Sequence, residues 1–338
     1  LAELHASAAK LLESSPAADM RLGEIGAHFY EAGRYEQAYD VLGRAAEVAE
    51  AEGSTPRAID HMRMALDAVD RQGDDRAAEQ AGAARELGRL LMQGGRLDEA
   101  ELLLRDAFPK AREQGVDWLA ADLLRLHGRV LVLQGDVSDG EKEMQAALSY
   151  AEKKGLAEVA ADACGDLAEA AESRGDRDGA GELLRRGLAL IEAREHKNAA
   201  SVRLQLYNRL GRLELQSGDF ASAIARFTQA LSLAERLEDR YQTAGLLGNL
   251  GGAYARRGEL DRAVHYTERA LRASEAIGDQ IGIARQSFNL ALLRMSAGQK
   301  TTARQLLRGS YDAARRAGWR EGLAMSAAAT AKLEGARA

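Results

Sequence analysis

The sequence of 338 residues predicts an all-α fold built from stacked pairs of antiparallel helices. A glycine recurs along the chain at intervals of 40 to 43 residues, and small residues stand five and twelve positions after every copy of it. The chain contains only three prolines and 5% aromatic residues, which suits long helices packed through leucine and alanine. A period of this length is typical of helical repeat proteins. The recurrent glycines are Gly53, Gly95, Gly135, Gly175, Gly218, Gly258 and Gly298.

The clearest copy of the repeat lies between residues 246 and 271. Its first helix carries Leu250 and Tyr254 on one side, a turn follows at Gly258, and the second helix sets Ala263 facing back. Because large and small residues alternate, the two helices can approach closely. One such hairpin cannot bury its own apolar face, so it needs another copy beside it.

The predicted elements follow in chain order. Residues 1–34 form an N-terminal helical pair around Pro16, residues 35–318 form seven helical hairpins, and residues 319–338 form a C-terminal helix, which gives about 17 helices. Each regular helix is about 25 Å long, at a rise of about 1.5 Å per residue. The weakest joint is the small, polar stretch 71–82.

Composition excludes several classes of protein. No apolar run near 18 residues is present, so no membrane span is predicted, and no secretory signal opens the chain. The net charge of −6 and the lack of a basic, aromatic-rich stripe argue against nucleic-acid binding. The single cysteine, Cys164, excludes an internal disulfide and predicts a reducing, cytoplasmic location. The start at Leu1, without methionine, suggests a piece of a longer protein.

The sequence contains no catalytic constellation, and no metal or cofactor is predicted. The glycines of residues 175–181 lie at a helical turn and follow no strand, so they form no phosphate-binding loop. His127 and Cys164 occupy core positions of the repeat, and we interpret both as structural rather than as a metal ligand or pH sensor and a nucleophile. The histidines are scattered without metal-ligand spacing: they are His5, His28, His61, His127, His196 and His265.

The repeat resembles the tetratricopeptide repeat (TPR). Residues 247–254 read LGNLGGAY, and Leu-Gly, an aromatic residue, Gly, Ala, an apolar residue and Ala follow in the order of that family. The length of about 40 residues is similar to the long-helix subclass in kinesin light chains and Pins-type polarity adaptors. The resemblance covers nearly the whole chain. It implies a right-handed superhelical solenoid whose first helices line the concave side and whose second helices form the convex side.

The opening of the chain also resembles the helical region that follows the ATPase in large multidomain signalling ATPases. The likeness covers residues 4–69 and includes maltose-type transcription activators and cyclases or kinases fused to an ATPase and TPRs. In that group the repeats sense a ligand or partner and control the ATPase. The resemblance therefore implies an alternative function, the ligand-sensing regulatory region of a multidomain signalling ATPase, kinase or transcription regulator.

The residues that packing does not explain stand ten and six positions before the turn glycines. Positions four apart share one face of a helix, and the resemblance turns that face toward the concave surface. There, Arg85 with Arg89, and Arg125 with Arg129, are like-charge pairs that each cost an isolated helix about 0.2–0.5 kcal/mol. A local choice that opposes stability is expected at a functional site, and arginine forks suit carboxylate or phosphate.

Asparagines extend this face. In the related adaptors, asparagines in this part of the first helix hold an extended peptide by its backbone; Asn249 and Asn289 match that place, and Asn208 is one residue off. The alternative is that the arginines pair with Glu86, Glu79 or Asp122 on a solvated face, where ion pairs contribute little. We predict a non-enzymatic scaffold that binds an acidic or carboxylate-bearing peptide in the concave groove, through Arg85, Arg89, Arg125, Arg129, Arg209, Arg212, Asn208, Asn249 and Asn289.

Overall fold

The computed structural model describes residues 1–192 and 197–335. In this part of the chain it contains 17 α-helices and two short 3₁₀ turns, which confirms the prediction of an all-α helical repeat protein. Two features of the sequence prediction lie outside the described residues. They are His196 and the end of the predicted C-terminal helix, residues 336–338.

The chain divides into two compact units, Leu1–Gly175 and Asp176–Ala338, which we call unit 1 and unit 2. The boundary lies at a turn glycine inside the segment 35–318, for which the sequence predicts seven successive hairpins. Unit 1 contains α1 (Ala2–Glu13), α2 (Leu22–Glu31), α3 (Tyr35–Ala51), α4 (Thr55–Asp70), α5 (Ala77–Gln93), α6 (Leu97–Glu113), α7 (Asp117–Gln134), α8 (Val137–Lys154) and α9 (Ala157–Ser173). Unit 2 contains α10 (Arg177–Ile191), α11 (Lys197–Gln216), α12 (Phe220–Arg236), α13 (Arg240–Arg257), α14 (Leu260–Ala276), α15 (Gln280–Ser296), α16 (Lys300–Arg316) and α17 (Arg320–Gly335).

The turn glycines set the helix ends. Gly135 and Gly258, for example, have φ angles of 104° and 87°, a left-handed conformation that costs a residue with a Cβ about 1–2 kcal/mol. The chain therefore reverses direction where the sequence places a glycine. None of the helices in the described ranges is both long enough and apolar enough to cross a membrane.

The small residues of the repeat allow close helix crossings, and the tightest of these joins α7 to α8. A Cβ added at Gly128 would lie 2.7 Å from the carbonyl oxygen of Gly140, and one added at Gly140 would lie 2.5 Å from that of Gly128. Both obstacles are backbone atoms, which cannot rotate away. The two helices therefore meet backbone to backbone, and neither glycine can carry a side chain without separating them.

The odd-numbered helices form the inner row of each unit. In unit 1, α7 comes within 8 Å, Cα to Cα, of both α5 and α9. In unit 2, each of α11, α13 and α15 comes that close to the next odd-numbered helix. Beyond α4, no two even-numbered helices of one unit come that close in the described residues. Closer spacing of one row is what the inner side of a curved stack requires, so the odd helices carry the candidate binding faces. The start of unit 1 departs from this pattern: α2 comes within 8 Å of α4, whereas α3 comes that close to neither α1 nor α5.

Candidate functional site

The predicted site residues divide between the two units. Four of them lie on the inner helices α5 and α7: Arg85, Arg89, Arg125 and Arg129. We call the side of the inner helices that carries these residues the unit 1 face. Five lie on α11, α13 and α15, on the corresponding unit 2 face: Arg209, Arg212, Asn208, Asn249 and Asn289. We describe each face by itself.

Carboxylates hold the first two arginines of the unit 1 face. The Nη1 and Nη2 atoms of Arg89 donate to the two carboxylate oxygens of Glu50, both at 2.6 Å, and its Nε donates to Glu86 at 3.0 Å. Because Arg89 donates these bonds, the pKa of Glu50 lies below its usual value. Arg85 also contacts Glu86, and its Nε lies 2.5 Å from Oδ2 of Asp122 on the next inner helix.

The other two arginines continue this pattern. Arg125 donates to Asp122, with Nη2 at 2.6 Å from Oδ1, and also contacts Asp166 on α9; Nε of Arg129 lies 3.5 Å from Oδ1 of Asp166. Asp122 and Arg125 are only 3% and 7% exposed. Eight groups of alternating charge thus cross four helices and form what we call the ion-pair network: Glu50, Arg89, Glu86, Arg85, Asp122, Arg125, Asp166 and Arg129.

The network explains how the like-charge arginine pairs coexist. Arg85, Arg89 and Arg125 each stand between two carboxylates and Arg129 lies beside one, and these negative charges offset the repulsion expected from an isolated helix. The sequence offered Glu86, Asp122 and Glu79 as alternative partners of these arginines. Glu86 and Asp122 do pair with them, whereas Glu79 pairs with Arg76. Sequence reasoning missed Glu50 and Asp166, although Asp166 stands nine positions before its turn glycine, as Glu86 does.

Asp122 makes the stability of unit 1 depend on pH. Burial raises the pKa of Asp122, but the charges of Arg125 and Arg85 outweigh burial and leave this pKa below its usual value. A depressed folded-state pKa stabilises the fold at pH above the unfolded value, about 3.9, and this stability is lost as pH falls through the folded value. We expect the urea midpoint of unfolding to drop between pH 5 and pH 3, and to drop less in Asp122→Asn. An equal drop in both proteins would contradict this assignment.

The unit 2 face has the opposite charge. Its helices α11, α13 and α15 carry nine Lys or Arg residues and one acidic residue, Glu214. The inner helices of unit 1, α3, α5, α7 and α9, carry thirteen acidic and five basic residues. Arg212 is exposed and forms no ion pair in the described residues, while Arg209 is half-buried. Arg257 and Arg294 of these helices pair with Glu259 and Glu268, and the excess of cations that remains attracts anions.

The asparagines of the unit 2 face have hydrogen-bonding capacity to spare. Nδ2 of Asn249 donates to Oδ1 of Asn208 at 2.9 Å. Whichever amide donates, one NH₂ group and one carbonyl of the pair remain for a ligand, and a peptide backbone offers the complementary C=O and N–H groups. The side chain of Asn289, half-buried on the next inner helix, makes no hydrogen bond within the described ranges.

Glycines form the middle of this face on α13. Gly245, Gly248 and Gly252 share one side of the helix, and a Cβ added at Gly245 or Gly252 would have no heavy atom within 4 Å. Close packing therefore does not require these two glycines, each of which costs a helix interior about 1 kcal/mol relative to alanine. Because these glycines have no side chains, another backbone can approach α13 closely.

Gln286 is a polar residue that sequence reasoning missed. It is 5% exposed, its amide lies against Gly248, and its buried Oε1 has no hydrogen-bond partner among the described residues. The same position of the repeat holds Leu206 in α11 and Leu246 in α13. A polar residue at a repeat position that is otherwise apolar was the feature of the sequence that could have identified Gln286.

We expect Gln286→Leu to stabilise unit 2 by about 1–3 kcal/mol, because an unsatisfied buried amide carries a penalty of that size. The urea midpoint, followed by circular dichroism, measures the change. The control is Gln205→Leu at an exposed position of α11, which should change stability by less than about 0.5 kcal/mol. A loss of stability in Gln286→Leu would show that the amide has a partner.

Exposed apolar side chains flank the polar centre of the unit 2 face. Tyr241 is 63% exposed, and Ile281 and Leu292 are 41% and 43% exposed. Arg285 stands between the last two on the same side of α15, with its guanidinium 5.8 Å from the ring centre of Trp319. The face thus combines cations, amides and apolar groups, which is the composition of a protein-binding surface.

Cys164 and His127, which we interpreted from the sequence as structural residues, show no catalytic arrangement. Cys164 is fully buried, and His127 is half-buried with its Nε2 lacking a hydrogen-bond partner in residues 1–192 and 197–335. Over the same ranges, no three His, Cys, Asp or Glu side chains come together as they would around a metal ion.

Comparisons with known proteins agree with the repeat pattern. Residues 202–276 match the tetratricopeptide repeat family. No curated protein sequence matches the chain significantly. A similar solved structure is BtubC (BKLC) from P. vanneervenii, with 21% identity and a TM-score of 0.52 over 70% of this chain and 92% of that one.

Two further solved structures show the same fold. A Signal Transduction ATPase with Numerous Domains (STAND) protein with a tetratricopeptide repeat sensor, from Pyrococcus horikoshii, has a TM-score of 0.68 and 14% identity. The match covers 99% of this chain but only 50% of that protein. The Rap conjugation gene regulator of plasmid pLS20, in complex with the Phr* peptide, has a TM-score of 0.59 and 12% identity over 86% of this chain and 76% of that one. The family match thus assigns residues 202–276 to the tetratricopeptide repeat, and the solved structures show the same fold over most of the chain.

Proposed function

We propose that this protein is a non-enzymatic scaffold whose unit 2 face binds an extended, carboxylate-bearing peptide segment of a partner. The observation that carries the proposal is the Asn208–Asn249 pair, which keeps a free donor and a free acceptor on a face formed by helices with nine cations and one acidic residue. Backbone groups of the peptide pair with the amides, and its carboxylates pair with the arginines.

The spacing of the helices fits such a ligand. Neighbouring packed helices lie about 8–10 Å apart, so the three asparagines on α11, α13 and α15 span about 16–20 Å. An extended peptide rises about 3.3 Å per residue, and five or six residues cover that distance. The glycines of α13 give the backbone room to approach. Arg212 and Arg285 lie where they would meet acidic side chains, and Tyr241 and Leu292 would pack against apolar ones.

The arginines of the unit 1 face do not bind the peptide in this proposal. Arg85, Arg89, Arg125 and Arg129 are already matched by carboxylates of the ion-pair network. An acidic peptide would have to displace those carboxylates, which are held on the same scaffold and so compete at high local concentration. We therefore assign the anionic ligand to unit 2.

A second candidate function is the sensor region of a multidomain signalling ATPase, as the opening residues suggested. The similarity that favours it is the STAND protein with a tetratricopeptide repeat sensor, of which this chain spans half the length. In that case the bound peptide or another ligand would control an attached catalytic domain. The structural similarity to a Rap regulator in complex with a peptide supports a peptide as the ligand in either case. The buried, single Cys164 fits the cytoplasmic location proposed for both functions.

Selection from a random twelve-residue peptide library tests the proposal, with this chain as bait. We expect the selected peptides to be enriched in Asp and Glu, and their affinity to fall as NaCl rises from 50 to 300 mM. Asn249→Ala should weaken binding about tenfold or more, since it removes hydrogen bonds to a main chain. The control is Asn198→Ala, at an exposed position in the first turn of α11, which should bind as the unchanged protein does. Peptides without acidic enrichment, or equal binding by Asn249→Ala, would overturn the assignment.

A further inference from the structure

Unit 1 contains a cavity of about 270 Å³ where the inner row of helices is interrupted. It lies between α3 and α5, which do not come within 8 Å of each other, Cα to Cα. The apolar part of its lining comes from three helices: Ala46, Met62, Ala83 and Leu90.

Two glycines line opposite walls of this cavity. Gly43 on α3 and Gly82 on α5 are helix-interior residues, and a Cβ added at either would have no heavy atom within 4 Å. They differ in this respect from Gly128 and Gly140, which close packing requires. Each costs its helix about 1 kcal/mol relative to alanine and gains no contact in return. Because neither glycine carries a side chain, the space between the two helices stays open to a ligand.

The charged groups around the cavity are not balanced. At one end, Arg89 is held by Glu50 and Glu86 of the ion-pair network. Arg44 also lines the cavity, but the carboxylate nearest to it, 3.8 Å away, is that of Asp19, which lies outside the lining.

Two other lining carboxylates, Asp40 and Glu47, form no ion pair in the part of the chain that the structure describes. They stand seven residues apart on one side of α3, which is two turns or about 10 Å. The cavity therefore has two available negative charges beside an apolar wall.

We propose that this cavity binds an organic cation, a flexible alkyl chain that ends in an ammonium or guanidinium group. The methylenes lie on the apolar wall, and the charged head donates hydrogen bonds to Asp40 or Glu47. The alkyl chain belongs either to a free diamine or to the side chain of a lysine or arginine in a partner protein. This site is in unit 1 and does not depend on the peptide-binding function proposed for unit 2.

Isothermal titration of the whole chain with 1,5-diaminopentane tests the proposal. We expect saturable binding of one diamine per chain, and no binding of 1-pentanol, which has the same carbon chain without a charge. The double substitution Asp40→Asn/Glu47→Gln should weaken the binding of the diamine at least tenfold. Arg44→Gln should strengthen this binding, because it removes a competing cation. A lysine-containing peptide and its norleucine counterpart, titrated in parallel, show whether the cation comes from a protein side chain.

Filling the cavity provides a second variant that keeps the fold. Gly82→Leu should abolish diamine binding while its melting temperature stays at or above that of the unchanged protein, because leucine is a better helix former. The control is Gly309→Leu, at an exposed glycine of α16 with equally open surroundings, which should bind the diamine normally. If neither the diamine nor the lysine peptide binds saturably, or if Asp40→Asn/Glu47→Gln binds as tightly as the unchanged protein, the proposal is overturned.

Discussion

Gly128→Leu is expected to destabilise unit 1 by about 3 kcal/mol or more, although leucine favours a helix over glycine. The new Cβ would lie 2.7 Å from the backbone oxygen of Gly140, so α7 and α8 must separate. Overpacking of this kind usually costs about 1–3 kcal/mol, and here the obstacle is backbone rather than a side chain that can rotate. Urea denaturation followed by circular dichroism measures the loss.

The control is the same substitution in the same unit at a glycine that packing does not require. Gly43→Leu should leave stability unchanged or raise it by up to about 1 kcal/mol, because a Cβ there meets no atom within 4 Å. A similar loss in both variants would show that the helices tolerate no side chain at glycine for a reason other than the crossing of α7 and α8.

Arg125→Met is expected to destabilise unit 1 by about 3–5 kcal/mol, the usual effect of removing one partner from a buried ion pair. The change leaves Asp122, only 3% exposed, with Arg85 as its remaining cation. Asp122→Asn in the Arg125→Met background should recover part of the stability, because the uncompensated charge is then gone.

An exposed ion pair of unit 1 gives the comparison. Arg63 contacts Glu99 at 2.8 Å, and both side chains are nearly half exposed. Arg63→Met should change stability by less than about 1 kcal/mol. If Arg63→Met and Arg125→Met change the urea midpoint equally, burial of the network contributes nothing to stability.

The fold was predictable because its signals repeat. Turn glycines such as Gly135 and Gly258 mark helix ends directly, and the columns of small residues show which helices must cross closely. The division at Gly175 was not predicted, since this glycine occupies the same position of the repeat as the other turn glycines.

The site was only partly predictable, because its partners lie on different repeats. Within one helix, Arg85 and Arg89 have only Glu86 as a shared partner. The carboxylates that hold them stand 37 residues after Arg85 and 39 residues before Arg89. A one-repeat separation places residues side by side on stacked helices, so the period itself contained this information. The amide of Gln286 and the gap between α3 and α5 are departures from the period, and only the structure shows what surrounds them.

One comparison of affinities locates the peptide-binding face. The probe is an acidic peptide selected on this chain, measured against Arg212→Gln/Arg285→Gln in unit 2 and against Arg89→Gln/Arg129→Gln in unit 1. Each variant removes two positive charges, so a general loss of net charge affects both equally. We expect the unit 2 variant to bind at least tenfold more weakly and the unit 1 variant to stay within about threefold of the unchanged protein. The reverse order would contradict the assignment and return the anionic ligand to the arginines of the ion-pair network.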